Sequence, residues 1–304
     1  MKKMRLSLYL ALGVAVIGII LGSFFDLQIS QAIANRGNVF GLSVSIIAPT
    51  IGFTGLALIG GGFLALAIKS GNMFQKIVFF VLAIAGYGAS VYFAGVEYFG
   101  ENGFYNAAPK FVGFLIAAVP LAGAEFLGYW LFKDNTNPYT WIVLLICTAA
   151  IGIVLVGGIN GLKAIMHRPR YRSIVSAGLE FRNWWEPTKN YRELMETYQL
   201  TSEEFKSYPS GHTAEIGITL ITWTILPLVC PKLRKLQLPM FWVSIAVCLL
   251  VMFARILASA HFLSDVSTGL ALCVLFAIIA NEITIHVKAF HRDEEPSAEA
   301  LAKE

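Results

Sequence analysis

The sequence predicts an all-α fold: a polytopic transmembrane bundle of about eight helices. Long apolar runs recur along the chain, with charge confined to their ends. The chain has 304 residues, of which 57% are hydrophobic and only 14% charged, and its mean hydropathy is +0.67. A soluble globular chain has roughly 45–50% apolar and about 25% charged residues. The short loops also alternate in basic content, as they do in a chain that crosses a bilayer repeatedly.

A span needs about 20 predominantly apolar residues. The first, Leu6–Phe25, follows the basic start Met1-Lys2-Lys3-Met4-Arg5. Ala32-Ile33-Ala34 resembles a signal-peptidase site, but the run exceeds the roughly 7–15 residues of a signal core, so a retained helix is expected. The second, Val44–Ile68, contains Gly60-Gly61-Gly62, which suits close helix packing better than phosphate binding. Ile77–Glu97 and Pro109–Leu131 follow, the latter with Glu125 deep inside. An intramembrane carboxylate is either functional or held by a structural hydrogen bond, and both readings stand for Glu125. Thr140–Ile165, with Gly157-Gly158 expected at a helix contact, Thr213–Val229, Pro239–Leu257 and Val266–Val287 complete the set. The chain is expected to divide into N-terminal helices over 1–138, a helical core over 139–290 that carries the three motif clusters described below, and a polar tail over 291–304.

The basic residues orient the bundle. With the N-terminus inside, Lys2, Lys3, Arg5, Lys69, Lys76, Lys133, Lys232, Arg234, Lys235, Lys288 and Arg292 fall on the cytoplasmic side. The opposite side receives Asp26, Glu97 and Glu101 in its early loops, with Arg36 and Lys110 as its cations. Both termini are therefore expected in the cytoplasm. The connection from His167 to Tyr208 is charged in both senses, and a long loop is a weak topology signal. It also holds Phe181, Trp184, Trp185 and Tyr191, which suit a segment at the headgroup level. His167 is expected to be interfacial, and Glu282 to snorkel near the cytoplasmic end.

The net charge of +4 is small and the basic residues form no stripe, which excludes a nucleic-acid partner. Cys147, Cys230, Cys248 and Cys273 lie in or at the ends of apolar segments without metal-ligand spacing, so small buried hydrophobes are expected.

Three clusters of ionisable residues fall on the non-cytoplasmic side. In the first, Lys163 and Arg170 are seven apart, about two helical turns, and could share a face. In the second, Pro209-Ser210-Gly211-His212 opens an apolar span, where free N–H groups make an anion cradle. In the third, Arg255 precedes His261, and Asp265 stands four residues later, within reach of the imidazole if this stretch is helical. A carboxylate that fixes the tautomer leaves the other ring nitrogen as base or nucleophile. Singly, each cluster has an ordinary reading as a lipid anchor, a helix cap or an ion pair. Together they supply what phosphoryl transfer needs: cations for the equatorial oxygens, an in-line nucleophile and an acid.

These residues resemble the three-part signature of the type 2 phosphatidic acid phosphatase superfamily, K-x6-R-P, P-S-G-H and S-R-x5-H-x3-D. The matches are Lys163 and Arg170, Pro209 to His212, and Arg255, His261 and Asp265. Two positions depart: Tyr171 replaces the Pro, although Arg168-Pro169 just before it is a similar dipeptide, and Ala254 replaces the Ser. The resemblance spans Thr140 to Val287 and implies a six-helix phosphatase core, with Ile77–Glu97 and Pro109–Leu131 as two extra helices. It implies that His261 forms a phosphohistidine, Asp265 orients it, and His212 serves as acid and then base. Lys163, Arg170, Arg255 and the N–H groups of Ser210 and Gly211 would hold the phosphate. No metal or cofactor is implied. The expected substrate is a membrane lipid phosphate or diphosphate: a polyprenyl diphosphate such as undecaprenyl diphosphate, phosphatidic acid or phosphatidylglycerophosphate. The expected location is the plasma membrane, with the site extracytoplasmic. The alternatives are a phosphotransferase passing phosphate to another acceptor, and a non-enzymatic lipid or anion transporter.

Overall fold

A computed structural model describes residues 2–98 and 111–292, with side chains through 287. Glu101, Pro109, Lys110, the side chains of Lys288, His291 and Arg292, and the tail beyond 292 lie outside the described residues. Among the described residues the structure is helical and contains no strand.

The described residues form eight long helical elements. They are α1 (Lys2–Ile33), α2 (Val39–Lys69), α3 (Met73–Glu97) and α4 (Phe111–Phe132), followed by a composite element. The composite consists of α5 (Thr140–Gly152), a π-helical segment (Ile153–Asn160) and α6 (Gly161–Met166). Two short helices, α7 (Tyr171–Ala177) and α8 (Tyr191–Thr197), interrupt the sequence before α9 (Gly211–Ile225), α10 (Gln237–Leu257) and α11 (Leu263–Arg292). Seven of the eight are long and apolar enough to cross a membrane. The eighth, α9, has only 15 residues and continues into a 3-10 turn at Leu226–Leu228. At 1.5 Å per residue it is shorter than a hydrocarbon core of about 30 Å.

Phe24, Phe74 and Val119, at 71%, 77% and 75% exposed, mark outward faces that no protein covers. In a bilayer such faces meet lipid, and the helices satisfy their own backbone groups. The chain is therefore a multi-pass membrane protein.

Helix α2 lies at the centre, packed by α3, α4, α9 and α10. The glycine run predicted to allow close approach does so at Gly61. A β-carbon there would stand 1.9 Å from the Glu125 carbonyl oxygen, and one at Gly128 would stand 2.1 Å from the Leu58 carbonyl oxygen. The α2 and α4 backbones thus touch through reciprocal glycines, as membrane helices without a hydrophobic drive between them require. Gly157 departs from expectation: the nearest atom to its β-carbon position belongs to Ile153 on its own helix, and only Gly158 meets a neighbour, Leu272. The four cysteines are buried and free, as small hydrophobes.

Helices α1 and α11 run antiparallel and are joined at both ends. At one end Arg5 pairs with Glu282, whose carboxylate is thus engaged rather than free. At the other, Asp26 accepts from the Ser264 backbone N–H at 2.9 Å and caps α11. The connection between α6 and α9 is not a loose solvated loop. Arg172 pairs with Glu204 through two hydrogen bonds of 2.9 and 2.6 Å, and Trp184 donates to the Ser23 hydroxyl at 2.9 Å. Burial works to raise the Glu204 pKa, but Arg172 and the Ser173 hydroxyl outweigh it and hold the carboxyl below its usual range.

Candidate active site

The three motif clusters converge at one end of the bundle, although not by the local geometry expected of them. Lys163 lies on α6, but that helix stops at Met166. His167 turns the chain in the left-handed region at φ 44° and stacks on Tyr191. Arg170 then caps α7. Lys163 and Arg170 therefore share no helical face. The turn at His167 folds Arg170 back, and both line one cavity of about 460 Å³. The π-helical segment just before α6 sets the register at which Lys163 emerges. Such segments occur mostly as short insertions within α-helices, frequently at functional sites.

Ser210 caps α9, its hydroxyl accepting from Thr213 N at 3.4 Å. Its own N–H is spent on the Asp265 carbonyl at 3.0 Å, and the residue is fully buried. The expectation that the Ser210 N–H holds phosphate is therefore corrected: Ser210 builds the helix start, while Gly211 and His212 line the cavity. In helix geometry the N–H groups of these first-turn residues have no intrahelical acceptor.

His261 sits between α10 and α11, after a turn that places Ser259 at φ 58°. This stretch is not helical, which changes how Asp265 acts. The Asp265 carboxylate is 3.8 Å from His261 Nδ1, beyond hydrogen-bonding length. The partner of Nδ1 is the Ser207 carbonyl at 2.6 Å. A carbonyl only accepts, so Nδ1 carries the proton and Nε2 presents its lone pair. Burial, reinforced by Arg170 and Arg255, holds the His261 pKa well below the usual histidine value, so the ring is neutral at physiological pH.

Asp265 instead organises the frame around His261. It accepts from Ser207 Oγ at 2.5 Å, Phe262 N at 2.8 Å and Arg168 at 2.6 Å. The Phe262 contact is the return half of a capping box on α11. Asp265 thus fixes Ser207, whose carbonyl fixes His261. Arg168 is fully buried; it bridges Asp265 to Asp26 of α1 at 2.9 Å and lies 4.2 Å from the Phe262 ring centroid.

Arg255 ends α10 in the cavity wall, and its buried Nε has no hydrogen-bond partner. A buried guanidinium nitrogen without an acceptor is costly and fits an anion that completes it. Arg170 donates to the Glu203 carbonyl at 2.7 Å. Burial raises the Glu203 pKa, but Lys206 and Arg170 outweigh it and hold the carboxyl below its usual range.

The cavity also contains residues outside the three clusters. Glu97, from the end of α3, stands 3.3 Å from His212 Nε2. Glu215 stands one turn into α9, with a buried Oε2 that lacks a partner. Glu97, His212 and Glu215 come within 4.8 Å of one another. Lys163, Arg170 and Arg255 share their cavity, which makes it a poor seat for a further cation and a good one for an anion. Asp26 and Glu97 were legible only as acidic residues at span ends on the site's side. Arg168 was legible as part of the Arg168-Pro169 dipeptide beside the first motif, whereas Ser207 and Glu215 carried no separate sequence signal.

A second, largely apolar cavity of about 690 Å³ adjoins the first. Phe53, Leu56, Phe93, Ile151, Leu155 and Ile159 line it, and it shares Glu97, Lys163, Glu203, Gly211 and Glu215 with the polar one. A charged chamber opening onto an apolar groove accommodates an amphiphile. Residues 138–286 match the PAP2 superfamily. No curated protein and no solved structure gives a match.

Proposed function

The chain belongs to the PAP2 superfamily through residues 138–286, and from that premise we propose that it hydrolyses a lipid phosphate or diphosphate through a phosphohistidine on His261, without a metal. Membership supports the coarser statement, a phosphatase-type activity on phosphate esters. The observation that carries the finer one is His261, with Nδ1 held by the Ser207 carbonyl, in a cavity walled by Lys163, Arg170 and Arg255.

The steps follow from these groups. Lys163, Arg170, Arg255 and the first-turn N–H groups of α9 hold the phosphate oxygens and stabilise charge in the transition state. His261 Nε2 attacks phosphorus, the bond to the lipid oxygen breaks, and His212 gives that oxygen a proton. His212 then takes a proton from water as the water oxygen attacks phosphorus. The N–P bond breaks and returns its electron pair to Nε2. The adjoining apolar groove supports a lipid leaving group. The short-loop charges support cytoplasmic termini and an outward-facing site in the plasma membrane, where a spent polyprenyl diphosphate carrier would be left.

The test is phosphate release by the detergent-purified protein across a lipid phosphate panel, with EDTA present. Turnover of at least one lipid is expected, together with an acid-labile, base-stable phosphoprotein. His261→Ala is expected to lower turnover by about 10³-fold or more while the protein still folds. Near-wild-type release by that variant, or complete dependence on a divalent metal, refutes the mechanism. Phosphate appearing on a second lipid or sugar instead of in solution indicates a transferase.

A further inference from the structure

The cavity holds two histidines, and their partners differ in kind. His261 Nδ1 is bonded to a neutral carbonyl, with its nearest carboxylate at 3.8 Å. His212 Nε2 faces the Glu97 carboxylate at 3.3 Å. Glu97 closes α3, outside the segment 138–286 that carries the motifs. We propose that Glu97 is the positioning residue of His212, forming with it the acid half of the site, and that α3 thereby contributes to the chemistry. This rests on the reading of His212 as the group that protonates the leaving oxygen.

The argument is one of charge and geometry. A protonated His212 adds a positive charge to a chamber that already holds Lys163 from α6, Arg255 from α10 and Arg170 from the connection before α7. Those three oppose it, and a carboxylate in contact with the ring offsets them. Two other carboxylates, Glu203 and Glu215, line the chamber. Glu203 pairs with Lys206 at 2.5 Å and lies 3.8 Å from Arg170. Glu215 and the Lys163 amine both crowd Gly211, standing 3.7 and 3.2 Å from where a β-carbon would be. Glu97 is the carboxylate in direct contact with His212. With Nε2–H given to Glu97, the proton passed to the leaving oxygen is the one on Nδ1, and Glu97 fixes the ring so that Nδ1 can deliver it. The two rings differ in partner, a neutral carbonyl for His261 and a carboxylate for His212, and the difference suits them to opposite roles, here nucleophile and acid.

The experiment compares full-length wild type, Glu97→Gln and Glu97→Asp on two substrates. Phosphatidic acid has an alkoxide leaving group that needs a proton, whereas p-nitrophenyl phosphate has a phenolate that leaves without one. The readout is kcat/KM, which reports the steps through phosphorylation of the enzyme. Positioned general acids contribute about 10²–10⁴-fold. Glu97→Gln is therefore expected to lower the alkyl-to-aryl ratio of kcat/KM by at least about tenfold, with part of the ratio recovered in Glu97→Asp. His212→Ala is expected to lower the ratio in the same direction, and adding Glu97→Gln to it should change the ratio no further. A merely structural role for Glu97 would lower both substrates alike and leave the ratio intact, which overturns the proposal, as does an unchanged ratio with unchanged rates. A wild-type protein inactive on both substrates and on every lipid of the phosphate panel overturns the phosphatase reading itself.

Discussion

Replacing Arg168 by Met removes the one positive charge between two buried carboxylates. Asp26, Asp265 and Arg168 are at most 2% exposed, and the guanidinium meets the carboxylates at 2.9 and 2.6 Å. Breaking a single buried pair by deleting one partner costs about 3–5 kcal/mol, because the other charge is left uncompensated. Here two are left, so Arg168→Met is expected at or above the upper end, about 5 kcal/mol. Asp26→Asn alone keeps Arg168 paired with Asp265 and weakens one charge-assisted bond, for about 2 kcal/mol. The double variant leaves only Asp265 uncompensated and is expected to lose about 5 kcal/mol, not 7, a coupling of about 2 kcal/mol. The assay is thermal unfolding in detergent followed by tryptophan fluorescence, to which Trp184, stacked on Tyr208, reports from the same region. At about 2–4 °C per kcal/mol, Arg168→Met should lower the midpoint by about 10 °C or more. An Arg168→Met loss within about 1 kcal/mol, or additivity within about 0.5 kcal/mol, would refute the buried-triad reasoning.

Other perturbations address the packing and the connection over the site. Gly61→Ala places a methyl group 1.9 Å from the Glu125 carbonyl oxygen, forcing α2 and α4 apart. It should cost about 1–3 kcal/mol in the same unfolding assay, whereas Gly157→Ala, which meets no other helix, should cost nothing measurable. Glu204, with its pKa held below the usual 4.5 by Arg172 and Ser173 against the opposing effect of burial, contributes stability that is present above that value. The contribution is lost as pH falls through the lower folded value. The stability gap between wild type and Glu204→Gln should therefore shrink as pH drops below the usual value. A gap that widens toward acid would contradict the assignment.

The eight apolar runs and the three clusters at one end were legible because hydropathy and motif spacing are local properties. Seven of the runs became helices of spanning length, and the sixth became the shorter α9. The errors arose where a local pattern was read as a helix face. Lys163 and Arg170 meet because His167 breaks the helix between them, and His261 and Asp265 are too far apart to bond because α11 starts only at Leu263. Ser210 is occupied by a carbonyl 55 residues away in sequence, at Asp265, which no spacing could reveal. Asp26, Glu97 and Arg168 share the same difficulty: an ordinary span-end charge in the sequence becomes part of the site only through a partner on a distant helix. The two extra helices were read as additions to a core, yet the last residue of α3 stands against His212.

The clasp of α1 on α11 has a bearing on biogenesis. The contact that anchors Asp26 spans 238 residues, and the ion pair at the opposite end spans 277. A chain emerging from the ribosome inserts its helices in order, and α1 waits for α11. Until the eighth helix enters the bilayer, Asp265 and His261 have no scaffold, and Arg168 lacks one of its two counterions. The cavity is thus completed only once α11 is in place, and a chain truncated before α11 carries Lys163, Arg170 and Arg255 without Asp265.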